Sequence, residues 1–148
     1  MSRSSLLKLL VQATDAYERE LGNALRAALG TDLRPAHYAV FRHLAPNGSR
    51  VTALAEAAGM TQQSMGELVT HLERCGYVER TPDPADKRAR LIVPTATGRD
   101  ALALAAREIG RIETAVAGEL GANSVDAVRA ALARIPDVVA KLSDADDR

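Results

Sequence analysis

Tryptophan is absent, and one phenylalanine and three tyrosines are the only aromatics in 148 residues. A core without aromatic anchors has to be filled by Ala, Leu, Val and Ile, which suit helix packed on helix better than an aromatic ligand cage. Cysteine is nearly absent: Cys75 stands alone, so neither an intrachain disulfide framework nor a Cys-rich zinc site is available. Net charge is missing too, since 19 Lys and Arg balance 19 Asp and Glu, and the total selects neither nucleic acid nor membrane. No apolar run approaches the roughly 20 residues that span a bilayer. The stretch "SSLLKLLV" near the start is short and interrupted by Lys8. These absences lead to the expectation of a soluble cytoplasmic protein with no membrane partner and no cofactor.

What the chain does have is apolar content, 47% of its residues, enough to exclude disorder. Its charges are also unevenly placed. Thirteen basic and ten acidic residues lie between Met1 and Arg99, against six and nine from Asp100 to Arg148. A neutral chain arranged in this way can still present a basic face. Four basic side chains, Lys87, Arg88, Arg90 and Arg99, gather in "DPADKRARLIVPTATGRDAL".

Apolar periodicity predicts a long helix from about Ser4 to Leu29, with Gly30 ending it, and a second helix, "PAHYAVFRHLA", opened by Pro35 and followed by the turn "PNGS". Two short segments come next, "TALAEAA" and "TQQSMGELVTHLERC", separated by Gly59 and Met60. That spacing is helix-turn-helix, with Thr61 as N-cap and Gly76 as terminator. "YVER", the turn "TPDPADKRA" and "RLIVP" read as two antiparallel strands joined by a nine-residue loop, and Pro94 belongs at a strand end. Two apolar stripes follow, Leu102 to Leu120 and Val125 to Leu142, with Pro136 expected to kink or restart the last helix. The fold class is mainly α with a small β-hairpin: a winged helix-turn-helix with N- and C-terminal dimerisation helices. We expect one domain, 1–148, in which 35–95 binds DNA and 1–34 and 96–148 are helical dimerisation parts.

The second helix of a helix-turn-helix enters the major groove with its N-terminal residues facing base edges. Here these are Thr61, Gln62, Gln63 and Ser64, whose amides and hydroxyls both donate and accept. Read alone, "TQQS" is also an ordinary polar helix start. Met65, Leu68, Val69 and Leu72 recur at core spacing. Gly66 costs about 1 kcal/mol in a helix interior relative to alanine, and either close packing or the approach of a partner backbone would account for it. A hairpin after such a helix can carry Lys87, Arg88 and Arg90 to phosphates. Asp86 would orient the wing by accepting from the Arg88 guanidinium or from loop N–H groups.

The stretch "LAEAAGMTQQSMGELVTHLERCGYVER", continued by "PDPADKRARLIVPTATG", resembles the helix-turn-helix and wing of the MarR (multiple antibiotic resistance regulator) family, including the Asp-x-Arg at Asp86 and Arg88. The resemblance implies a homodimer built through the terminal helices, a pseudo-palindromic double-stranded DNA operator, and release by a small-molecule effector whose binding residues the sequence does not identify. Repression is the expected outcome. Pro94 departs from the Leu usual in the family, a change that would shorten the strand.

Other classes fare less well. His37, His43 and His71 have no catalytic partner at a motif spacing and no i, i+4 pairing, so neither an enzyme nor a metal site is expected. Tyr17, Tyr38, Arg42 and His37 are polar or aromatic groups near a ligand junction if the topology is right. A redox-responsive regulator acting through Cys75, or a helical protein-interaction module without DNA binding, are the alternatives.

Overall fold

The computed structural model describes residues 3–30 and 33–146, with side-chain surroundings through residue 143. Residues 1, 2, 31, 32, 147 and 148, which belong to the expected helical parts 1–34 and 96–148, lie outside the described residues. In chain order the elements are α1 (Leu6–Leu29), α2 (Pro35–His43), α3 (Val51–Ala58), α4 (Gln62–Arg74), β1 (Val78–Asp83), β2 (Asp86–Pro94), α5 (Ala96–Leu120) and α6 (Ala122–Asp146). Their contacts divide the chain into two units, 1–109 and 110–148.

Local chemistry sets the boundaries in the first unit. The Ser5 hydroxyl accepts from the Lys8 N–H to start α1, and Gly30, at φ 63°, ends it by returning its N–H to Arg26. Pro35 opens α2, where its missing N–H costs nothing, and the Arg34 N–H is taken up by His37 Nδ1 at 2.9 Å. Gly59 reverses the chain between α3 and α4 at φ 66°. At the end of α4, Gly76 adopts φ 79° while the Tyr77 N–H bonds back to the Leu72 carbonyl, the pattern that satisfies a helix's last carbonyls.

The core of this unit is aliphatic, as the scarcity of aromatics requires. Leu54 of α3, Met65, Val69 and Leu72 of α4, Val40 of α2, and Val78 and Ile92 of the hairpin are almost wholly buried, while Leu68 and Met60 pack against them from its edge. The hairpin is antiparallel, with Val78 opposite Pro94 and Arg80 opposite Ile92. Pro94 is buried in the last pair, so β2 is not shortened by it. The turn after α2 adds a short third rung: Ser49 and Ile92 exchange both backbone hydrogen bonds, at 3.0 and 2.8 Å. Gly48, at φ 102°, allows this, because a Cβ there would stand 2.7 Å from the Val93 side chain.

Two expectations are corrected. The loop Thr81–Ala89 is much shorter than foreseen, because strand pairing continues through Asp83 and resumes at Asp86, leaving Pro84 and Ala85 as the turn. Pro82 is tolerated because both strands of a two-stranded sheet are edges. Pairing is nonetheless irregular at the tip: Pro82 faces Arg90 and Asp83 faces Asp86, so Lys87, Arg88 and Ala89 fall in a bulge without register partners. The last helix does not restart at Pro136, since α6 runs through it. Pro136 is exposed, so water can satisfy the carbonyl whose partner N–H is missing.

In the second unit, Gly121 at φ 87° joins the end of α5 to α6, and Glu113 meets Arg129 at 3.2 Å. Its apolar stripe faces solvent in the single chain: Leu120, Val128, Leu132, Val139 and Leu142 are all exposed.

One packing contact is uncompromising. A Cβ on Gly98, in the first turn of α5, would lie 1.9 Å from the Tyr77 carbonyl oxygen, a backbone atom that cannot rotate away. Gly98→Ala is expected to cost about 3 kcal/mol or more, read as a fall in Tm; a variant as stable as wild type would contradict this packing.

Candidate nucleic-acid interface

The start of α4 is held by its own polar residues. Thr61 Oγ1 accepts from the Ser64 N–H at 3.1 Å and lies 2.9 Å from the Ser64 hydroxyl. Thr61 and Ser64 therefore pair with each other as a cap, while Gln62 and Gln63 stand exposed beside them, free to turn their amides outward. The expected tetrad is brought to one helix end, divided into a capping pair and a reaching pair.

The hairpin projects the basic side chains. Lys87, Arg88 and Arg90 are exposed, and among the described residues none of the three enters an ion pair. Arg99 is used internally: its guanidinium donates to the Pro94 carbonyl at 3.0 Å and ties α5 to the strand end. Asp86 accepts from the backbone N–H of Arg88 at 3.0 Å, the second of the two partners foreseen for it.

A stronger anchor went unforeseen. Asp83 Oδ2 accepts from both Arg50 Nε (2.8 Å) and Arg50 Nη2 (2.6 Å), while its Oδ1 accepts from the Ala85 N–H at 2.9 Å. Arg50 is the residue before α3, so this pair fixes the hairpin tip to the start of the helix-turn-helix. The Ala85 N–H first, and the Arg50 guanidinium second, hold the Asp83 carboxyl below its ordinary value of 3.8, because both favour the charged form. The only sequence hint was the Asp-Pro turn, since an Asp side chain commonly accepts from the N–H two residues on.

A second link joins β1 to α4. Arg80 donates to Glu73 at 2.8 Å and to the Thr70 hydroxyl at 3.3 Å, and that hydroxyl donates in turn to the Gly66 carbonyl at 2.9 Å. The two anchors tie the hairpin at its tip to Arg50 before α3 and through Arg80 to α4.

The histidines sort differently from what spacing suggested. His37 of α2 and His71 of α4, 34 residues apart, stack with ring centroids 4.3 Å apart, and His71 Nε2 lies 3.6 Å from Cys75 Sγ. Among the described residues no group of three or more His, Cys, Asp and Glu is arranged to hold a metal ion. Of the ligand-junction residues, Arg42 pairs with Glu18 at 3.1 Å, Tyr17 is half-buried, and Tyr38 is buried, its hydroxyl pushed up in pKa by desolvation. Among the described residues no helix is long and apolar enough to cross a membrane.

The MarR family model matches residues 31–89, spanning the helix-turn-helix and the turn of the hairpin. The transcriptional regulator HosA of Escherichia coli O111:H- is 38% identical over 101 residues, 68% of each chain. The chain belongs to the MarR family. The transcriptional repressor CouR, solved bound to a 23-mer DNA duplex, is 27% identical and superposes with a TM-score of 0.73 over 89% of this chain and 92% of that one. The apo form of wild-type MarR from E. coli, at 19% identity, shares the fold with a TM-score of 0.72 over 90% and 98%. The protein is thus a MarR-family transcriptional regulator rather than an enzyme.

Asp83 gives the wing a pH signature. A carboxyl whose folded pKa is lowered contributes stability that is complete above its unfolded pKa and is lost as pH falls through the folded one. The Tm gap between wild type and Asp83→Asn is therefore expected to hold constant from neutrality to about pH 5 and to narrow progressively as pH falls below the ordinary carboxyl range. A gap that widens on acidification would contradict the assignment.

Proposed function

We propose that this MarR-family regulator is a sequence-specific double-stranded DNA-binding repressor that acts as a homodimer on a pseudo-palindromic operator and is released by a small-molecule effector. The observation that carries the DNA reading is the set of exposed cations Lys87, Arg88 and Arg90, without ion pairs among the described residues, on a hairpin tied to Arg50 before α3 and to Glu73 of α4, the helix that begins with the exposed Gln62 and Gln63. Cations left without counter-charges, together with a helix start able to read bases, suit a polyanion whose sequence matters. In this reading Thr61, Gln62, Gln63 and Ser64 face the bases, Lys87, Arg88 and Arg90 take phosphates or a narrow minor groove, and Asp86 shapes the wing.

The dimer reading rests on apolar surface. Leu6, Leu7, Leu9 and Val11 of α1, and Val128, Leu132, Val138, Val139 and Leu142 of α6, stand exposed in one chain, and large apolar side chains left exposed together suit contact with another protein surface. A second copy covering them makes 1–148 one functional domain, with 35–95 on DNA and 1–34 and 96–148 joining the copies. Binding to an operator supports the cytoplasmic location expected from the sequence. CouR, a repressor in its DNA complex, supports the repressor reading by likeness.

Phosphate contacts supply affinity and base contacts supply discrimination, which separates the two elements experimentally. Arg88→Ala is expected to weaken operator and unrelated duplex together and to make the salt dependence shallower by about one unit for each wing engaged. Gln62→Ala or Gln63→Ala is expected to cost roughly 1 to 3 kcal/mol on the operator with little change on unrelated DNA. Fluorescence anisotropy at several salt concentrations checks both; an Arg88→Ala protein with unaltered affinity and salt slope would remove the wing from the reading.

A further inference from the structure

The fold gives no reason for a glycine at position 66. Gly66 lies mid-helix without a positive φ, and nothing stands within 4 Å of where its Cβ would be. Gly98 is the contrast, since there the Tyr77 carbonyl occupies the space. Packing within the chain, one of the two explanations open for Gly66, is thereby removed, and close approach by something outside the chain is left.

The surroundings say what approaches. Gly66 sits in an open concavity of about 440 Å³ along α4, shared with Gln63, Glu67, Thr70, Arg74 and Arg80. It is three and four residues beyond Gln63 and Gln62, hence one turn along the same face of the helix. Arg80 borders the concavity from β1, the strand that leads into the cationic hairpin. Glu67 shares the concavity, is exposed, and among the described residues has no hydrogen-bond or ion-pair partner. A carboxylate on a DNA-facing helix is repelled by phosphates, and its favourable partners there are base amino groups, of which cytosine N4 is the usual one.

We propose that Gly66 and Glu67 form a second base-reading element of α4, in which the missing side chain at 66 admits the floor of the major groove and the Glu67 carboxylate accepts from a cytosine amino group. The inference rests on the DNA-binding reading above and adds to it a base preference one turn beyond Gln62 and Gln63. Specific complexes seat the helix in the groove, whereas non-specific ones depend mainly on phosphates. A methyl group at 66 therefore obstructs the specific complex more than the non-specific one.

The test selects duplexes from a random pool with the wild-type chain, Gly66→Ala and Glu67→Ala, then measures their affinities for the wild-type consensus and an unrelated duplex. The wild type is expected to select a G·C pair at one fixed position of each half-site. Glu67→Ala is expected to lose that preference while binding unrelated duplex more tightly, because a repelling charge is gone. Gly66→Ala is expected to bind the consensus about tenfold or more weakly and unrelated duplex less than about threefold more weakly, with a Tm at or above that of wild type, since alanine is the better helix former. Unchanged consensus affinity for Gly66→Ala, or an unaltered consensus for Glu67→Ala, overturns the inference while leaving the DNA reading intact. A wild-type chain that selects no sequence overturns both.

Discussion

The winged unit depends on one close passage of backbone, where the first turn of α5 crosses the junction between α4 and β1. The Thr95 N–H donates to the Tyr77 carbonyl, the Thr95 hydroxyl donates to the Gly76 carbonyl, and that same hydroxyl accepts from the Gly98 N–H. One threonine thus caps α5, closes the turn after α4 and seats Tyr77, the residue before β1. The passage is possible because Gly98 carries no side chain. Its consequence is positional: the start of α5 is tied to Gly76 and Tyr77, the residues that follow the helix carrying Gln62 and Gln63.

Much of this was readable in advance because it is governed by local rules. The α4 core positions Met65, Val69 and Leu72 followed from helical periodicity, Gly30, Gly59 and Gly76 from the left-handed turns they permit, and Thr61 from its place before an apolar-periodic run. Features set by folding were not readable. Arg50 and Asp83 are 33 residues apart and His37 and His71 are 34 apart, and no spacing rule links either pair. The hairpin loop was overestimated because prolines and aspartates mark turns only on average, whereas here Asp83 is held in a strand by a distant arginine. Of the kink or restart expected at Pro136, the restart does not occur, because the cost of a lost helical hydrogen bond depends on whether water can reach the freed carbonyl.

The neutral composition gains a physical meaning from this arrangement. Several charges are paired within the chain, as at Arg42 with Glu18, Arg80 with Glu73 and Arg129 with Glu113, while Lys87, Arg88 and Arg90 of the hairpin enter no ion pair among the described residues. A patch of this kind attracts DNA over about a Debye length without making the whole protein bind polyanions indiscriminately. Acidic residues near the surface then act in two ways: Asp83 and Asp86 shape the hairpin through backbone N–H groups, and Glu67 is left exposed on α4.

The central claim is that two copies present two α4 helices and two wings to one duplex. Hydroxyl-radical footprinting on a selected duplex, with the number of chains per duplex measured on the same complex, tests it most directly. Two chains should protect two half-sites related by a pseudo-dyad and centred about one helical turn, roughly 10 bp, apart on one face of the DNA. Protection of a single half-site by one chain, or protection indifferent to sequence, would contradict it.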